Sequence, residues 1–554
     1  MNQDKTPETA LESIQRREAL KTLGAAAVTL FGSASLGISN RAQAQEMSAM
    51  SGMMGMGGMS SQAASVQPGL FNRPLPIPPQ LQGVADAKGV LTYALKASGD
   101  ATTELVAGFK TPTWGYNGAV LGPTVRIPQG KPVRVHISNT LNQPTTVHWH
   151  GAQIPGNVDG GPHNKIEPQQ SITVAFTLNQ PAATLWYHPH IDRRTGPQVF
   201  AGLAGLVLID DGADVRLGMP HTYGIDDIPL ILQDRRLNKS GGLDYMSENS
   251  DIMGMKGNHF LVNGTEQPYV TVPAQWLRLR LLNGSNARLY NLAFADHRAF
   301  HVIASDAGLL EHPVETKSLL LAPGERAEIM LDLSRDQGKK LVLGSDSASL
   351  IPSLSQMPMG LDGLDQSHFD LLELRVGAPA GTAGKLPNKM ATIPVLKSDM
   401  PSRQFMLQDM SMGMMQTMMG GGTPTATVST GPGAMSMGVG GKNLFSINGQ
   451  FMNMTVINQR VRLGSTEVWE IANKGGMPHP FHVHGISFQI LTRDGVAPAE
   501  HERGWKDVVL VHAGQRVQII AHFNQPAGID HPFMYHCHIL EHEDNGMMGQ
   551  FTVI

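Results

Sequence analysis

The chain has 554 residues, a formal net charge of −4, 41% apolar and 16% charged residues. At roughly 150 residues per domain this length predicts about three domains with large cores; the near-neutral balance argues against a nucleic-acid or anionic-membrane surface, and no apolar run approaches the ~18 residues of a membrane span. There is one cysteine, Cys537, which excludes an intrachain disulfide, and there are 31 methionines, unevenly spread.

The first segment reads as an address. Arg16-Arg17 precedes a weakly apolar stretch, Leu23 to Ile38, and Ala42-Gln43-Ala44 supplies a small-residue cleavage site. This is the pattern of a twin-arginine export signal over 1–44, which predicts a periplasmic protein. A Met-rich linker, 45–64, follows. Residues 47–59 hold six methionines, and 400–437 hold ten more among Gly, Ser and Thr. The rest predicts an all-β protein, with short Val/Ile/Leu/Thr runs broken by Asn-Gly, Pro and Gly about every ten residues. Helical periodicity is confined to 404–419.

A degenerate repeat divides the chain. An Asn-Gly turn followed by an alternating strand ending in Asn occurs at Asn117-Gly118 with Val133–Asn139, at Asn263-Gly264 with Leu277–Asn283, and at Asn448-Gly449 with Val468–Asn473. Three copies predict three similar β domains, sandwiches or barrels, near 65–212, 213–380 and 381–554, with the Met-rich segment 400–437 inserted in the third. Nine and eleven residues after Asn139 stand His148 and His150, and after Asn473, His482 and His484; after Asn283 stand Leu292 and Phe294. The middle domain is therefore expected to be a spacer, with the site bridging its neighbours.

Of 22 histidines, ten fall in four clusters: His148-Trp149-His150, His188-Pro189-His190, His479-Pro480-Phe481-His482-Val483-His484, and His536-Cys537-His538 with His542. In a strand, residues i and i+2 share a face, so each H-x-H pair presents two imidazoles to one side, eight in all. Cys537 must point the opposite way. Cys537-x4-His542-x4-Met547 offers a thiolate, an imidazole and a weak axial thioether, with His479 as the natural second histidine; that set suits an electron-transfer copper better than zinc.

On these motifs the sequence resembles a three-domain multicopper oxidase across nearly the whole chain after the signal. The terminal run from His536 to Met548, the export signal and the Met-rich third domain are most similar to the periplasmic copper-efflux (cuprous) oxidases. The resemblance implies three cupredoxin-like Greek-key sandwiches, the middle one without copper ligands, and four copper ions. Type 1 copper would take His479, Cys537, His542 and Met547, and type 2 copper His148 and His482. One type 3 copper would take His150, His188 and His538, and the other His190, His484 and His536. It implies four one-electron oxidations of Cu(I) coupled to reduction of O2 to water, in a chain expected to be a monomer. A laccase acting on phenols, an Fe or Mn oxidase, and a copper-binding scaffold are the alternatives. Some relatives with this fold serve cell division and lack the copper ligands, which this chain retains. Glu543 and Asp159 resemble acids that serve the copper cluster, and a buried carboxylate of raised pKa would suit proton relay. Met477, just before Pro478-His479, matches a substrate Cu(I) ligand. Those relatives carry an aspartate where this chain has Gly475, and Asp409 and Met410 are candidate partners instead.

Overall fold

The computed structural model describes residues 71–245, 250–346, 368–381, 383–398, 400–409 and 444–554. The export signal, the 45–64 linker, Met410 and most of the 400–437 segment lie outside these residues. Strands dominate, in six sheets. They pair into three sandwiches, each around its own apolar cluster: Tyr93 to Ile209, Leu75 with Ala213 to Met390, and a third running mainly from Phe405 to Val553. No helix among the described residues is long and apolar enough to cross a membrane.

The repeated asparagines explain why the three sandwiches begin alike. In each, a strand before the Asn-Gly turn pairs in parallel with the strand that ends in Asn: Leu91–Ala97 with Val133–Asn139, Asp227–Leu232 with Arg278–Asn283, and Arg403–Leu407 with Trp469–Asn473. Asn117, Asn263 and Asn448 adopt left-handed φ values of 56°, 50° and 56°, tolerable for asparagine. Their side chains make one pattern. Oδ1 accepts from the amides of Lys96, Ile231 and Met406, and Nδ2 donates to the carbonyls of Ala94, Pro229 and Gln404. The strand-end asparagines are buried and equally uniform. Oδ1 takes the amide two residues on, of Leu141, Ser285 and Gly475. Nδ2 bridges two loop carbonyls, of Gln143 and Ile166, Arg288 and Leu321, and Met477 and Val511.

Two features differ from the sequence reading. Arg403–Gln408 is a strand, not the start of a helix: Phe405 and Leu407 are buried and Gln404 and Met406 exposed, a period of two set by pairing with Trp469–Asn473. The middle sandwich is also more than a spacer. Leu292 and Phe294 do fill its core, yet its edges reach both neighbours: Asn286 donates to the Gly196 carbonyl and to Glu541 Oε1, and Ile252 and Arg326 make the contacts described next.

Candidate metal centres

Two short strands carry the paired histidines, each against a partner strand. His148–His150 runs antiparallel to Thr184–His188, placing His148 opposite His188. His479–Val483 runs antiparallel to Phe533–Cys537, placing His482 opposite His536. The two sheets face each other, so rings from opposite sandwiches stack: His148 on His484 with centroids 3.8 Å apart, and His150 on His482 at 3.7 Å. All eight imidazoles are buried.

In seven of the eight, one ring nitrogen is in reach of a backbone carbonyl or a carboxylate, which leaves the other free. Nδ1 of His148 donates to the Asp159 carbonyl, of His482 to the Asp507 carbonyl, of His188 to the Pro189 carbonyl and of His536 to the Cys537 carbonyl, all at 2.7–3.0 Å. His484 Nδ1 donates to Asp159 Oδ2 at 2.8 Å, and His150 Nε2 donates to Asp507 Oδ1 at 3.0 Å. The nitrogens left over converge. His190, His484 and His536 bring Nε2 atoms to 3.1–3.2 Å of one another across His536; His150 Nδ1 lies 3.4 Å from His188 Nε2, with His538 completing that trio. Nε2 of His148 and of His482, and both nitrogens of His538, have no hydrogen-bond partner among the described residues. Burial, reinforced by the neighbouring imidazoles, holds His150, His188, His482, His484 and His538 well below the ordinary histidine range; His190 falls to about 3, burial outweighing Glu543. Neutral rings with converging unpartnered lone pairs are what metal ions bind.

A second cluster lies on the other side of Cys537. Its Sγ is 3.4 Å from His479 Nδ1 and 3.7 Å from His542 Nδ1, and those nitrogens are 3.2 Å apart. The outer nitrogens are tied off: His479 Nε2 donates to Asp409 Oδ1 at 2.6 Å and His542 Nε2 to the Ile252 carbonyl of the middle sandwich at 2.8 Å. Burial pushes the Cys537 thiol up, so a cation is needed to favour the thiolate. Met547 is fully buried in the same apolar cluster, and its carbonyl accepts the Cys537 amide.

The acids fall where the two clusters meet. A short helical turn, Leu540–Asp544, sends His542 towards Cys537 and Glu543 towards the eight histidines. Glu543 Oε1 accepts the Thr195 hydroxyl at 2.7 Å and lies 3.5 Å from His190 Nδ1; Oε2 lies 3.2 Å from His536 Nδ1. Burial raises the Glu543 carboxyl, while His190 and His536, when protonated, draw it below the usual carboxylate range. Its neighbour Asp544 behaves the other way. Burial and the Glu543 charge push that carboxyl up, while the amides of Thr195 and Gly196 donate to it.

Three participants were missed in the sequence: Asp507, Asp544 and Arg326. Arg326 of the middle sandwich pairs with both Asp507 oxygens, at 2.6 and 2.5 Å, and so braces the carboxylate that orients His150. A lone acid heading the apolar run Val508-Val509-Leu510-Val511 was the available signal for Asp507; none marked Arg326. Met477 is buried, and its amide donates to Asp409 Oδ2 at 3.3 Å. A side chain on Gly475 would collide with the Asp409 carboxylate at 2.3 Å, so Asp409 fills the space a residue at 475 would occupy.

Residues 99–214, 235–341 and 423–554 each match the family description multicopper oxidase. The protein named multicopper oxidase mco of Staphylococcus aureus is 35% identical over 481 residues, covering 86% of this chain and 91% of its own. The chain belongs to the multicopper oxidase family. Cell division protein FtsP of Salmonella typhimurium is 33% identical over 483 residues, 87% of this chain and 93% of its own. Among solved structures, a laccase-like multicopper oxidase CueO from Ochrobactrum sp., described as active towards lignin model compounds, is 35% identical with a TM-score of 0.73, covering 87% of this chain and all of that one. A multicopper oxidase from Campylobacter jejuni, described as a metallo-oxidase, is 26% identical with a TM-score of 0.73, covering 88% and 96%. This multicopper oxidase is thus an oxidoreductase with O2 as acceptor and copper as cofactor. The donors fit copper: neutral imidazoles with unpartnered nitrogens, and one thiol between two of them.

Proposed function

We propose that this multicopper oxidase oxidises Cu(I) to Cu(II) in the periplasm, coupling four one-electron steps to reduction of O2 to water. The observation that carries this reading is Asp409, a carboxylate with 14% of its side chain exposed, bonded to His479 Nε2 and to the amides of Gly476 and Met477. A carboxylate beside a methionine on the outer nitrogen of the Cys537 cluster suits a soft cation that must give up one electron there. The thioethers of 400–437 and 47–59 would gather the same ion, and the 1–44 export pattern supports a periplasmic location.

When bound, copper supplies the one-electron redox chemistry and the reduction of O2. One copper would be held by His479, Cys537, His542 and Met547. A second would be held by His148 and His482, and two more by the trios His150, His188, His538 and His190, His484, His536. Cys537 joins the two regions through the chain: Sγ faces His479 and His542, while the adjacent His536 and His538 face the eight-histidine pocket. Asp159 holds His484 through Oδ2 and His148 through its carbonyl. Glu543, bonded to Thr195 and beside His190 and His536, passes protons on through Oε1, taking them from half-buried Asp544 on the same turn.

Steady-state kinetics on the copper-loaded enzyme with Cu(I) and with a phenol test this reading. Met477→Leu should lower kcat/KM for Cu(I) about tenfold, roughly 1.4 kcal/mol, with phenol turnover retained. Equal losses on both substrates would support a broad laccase instead, the reading favoured by the likeness to the Ochrobactrum enzyme.

A further inference from the structure

A separate group of soft donors lies on the sheet face opposite to the Cys537 side chain. Met452, Met534 and Met548 are 9%, 0% and 2% exposed and, with half-buried Met454, form an apolar cluster composed of methionines alone. Strand pairing sets it against the pocket. Met548 stands opposite His536 in the antiparallel pair of Phe533–Cys537 with Met548–Val553. Met534 precedes His536 by two residues, so all three leave the same face of the sheet. A methyl group on Gly161 would sit 3.9 Å from Met534 Cγ and 3.5 Å from Asp159 Oδ2. The inner end of the cluster therefore adjoins the carboxylate that holds His484. The outer end lies on the segment 451–458. Gln550, on the same sheet face, ties that segment down by donating to the carbonyls of Asn453 and Val456, and takes a hydrogen bond from His163.

Packing alone gives a poor account of four methionines. A satellite core of this size is filled and specified better by leucine or isoleucine, because Met has more rotamers to lose. Thioethers, by contrast, bind Cu(I) without releasing a proton, and an ion leaving them for imidazoles moves towards harder, stronger donors. We propose that Met452, Met454, Met534 and Met548 bind Cu(I) as cargo and feed it into the eight-histidine pocket, by a route separate from substrate entry at His479. The feeding step rests on the copper reading of that pocket; the binding step does not.

Silver(I), a redox-silent thioether-seeking ion, is the probe for binding. Crystals of the holoenzyme soaked in Ag(I) should show an anomalous peak among the four sulfurs, lost in Met534→Leu/Met548→Leu while the blue absorbance persists. No peak there in the wild type, with silver bound at other methionines, overturns the site. For feeding, the outer pair is changed, since Met452→Leu/Met454→Leu keeps volume near the surface, and its thermal midpoint is checked against the wild type. Full-length enzyme purified from copper-limited cells should then keep its blue band but show a weaker type 2 EPR signal, restored by prolonged incubation with Cu(I). Type 2 occupancy equal to the wild type overturns the feeding step, and a holoenzyme with no type 2 signal at all would instead sink the copper reading of the pocket.

Discussion

A hydrogen bond to the outer nitrogen of a ligating histidine fixes the tautomer and the ring's aim, and Asp409 does this for His479 as the Ile252 carbonyl does for His542. Asp409→Asn keeps a hydrogen-bonding group but loses the charge. Copper affinity at the Cys537 cluster should fall about 10–100-fold with the blue band still present; unchanged affinity in a competition titration would contradict the role. Glu543→Gln should slow O2 reduction by about 10²-fold or more and leave the blue band intact, whereas unchanged turnover would remove Glu543 from proton supply. Position 475 shows how a residue's role can hide from the chain order. The aspartate missing there is replaced in space by Asp409, 66 positions earlier, and only the parallel pairing of Arg403–Leu407 with Trp469–Asn473 brings the two together.

The elements that hold the histidines depend on the strand-end asparagines. Asn283→Ala in the middle sandwich strands the Ser285 amide and the Arg288 and Leu321 carbonyls. It should cost at least about 2 kcal/mol, read as a lower thermal midpoint with an unaltered copper spectrum. Asn473→Ala makes the same cut but frees the Met477 carbonyl and Gly475 amide beside His479, so it should also shift the blue band; identical spectra for both variants would contradict this. These asparagines, the Asn-Gly turns and the H-x-H pairs were readable in the sequence because each recurs at a regular spacing along the chain. The strand Arg403–Gln408 was misread because methionines at Met406 and beyond imitate a helical spacing. The alternation of Phe405 and Leu407 was too short to outweigh it.

At the scale of the molecule, the middle sandwich is a brace built from buried arginines. Arg280 pairs with Asp227, Glu328 and Asp214, and donates to Thr184 of the first sandwich; Arg326 bonds the Thr184 carbonyl and Asp507 of the third. No motif announces such contacts, since those that cross between sandwiches join residues more than 90 positions apart, and they account for most of what the sequence left unread. Arg326→Met would leave the buried Asp507 carboxylate without its cation, costing about 3–5 kcal/mol, and should deplete copper held by the eight histidines before the blue site. Burial raises the Glu328 carboxyl, but Arg278 and Arg280 hold it below its ordinary value near 4.5. Its contribution is therefore complete above that pH and lost as pH falls below it. Glu328→Gln should flatten the acid dependence of the thermal midpoint, and an unchanged acid limb would assign that loss to other groups.

Cu(I)-driven reduction of O2 to water is tested most directly by O2 uptake of the copper-loaded enzyme against Cu(I) consumed, with peroxide assayed alongside. Four Cu(I) should be oxidised per O2 with no peroxide formed, because O2 takes four electrons on its way to water. An enzyme that turns over a phenol with O2 but shows no Cu(I)-dependent uptake would contradict it.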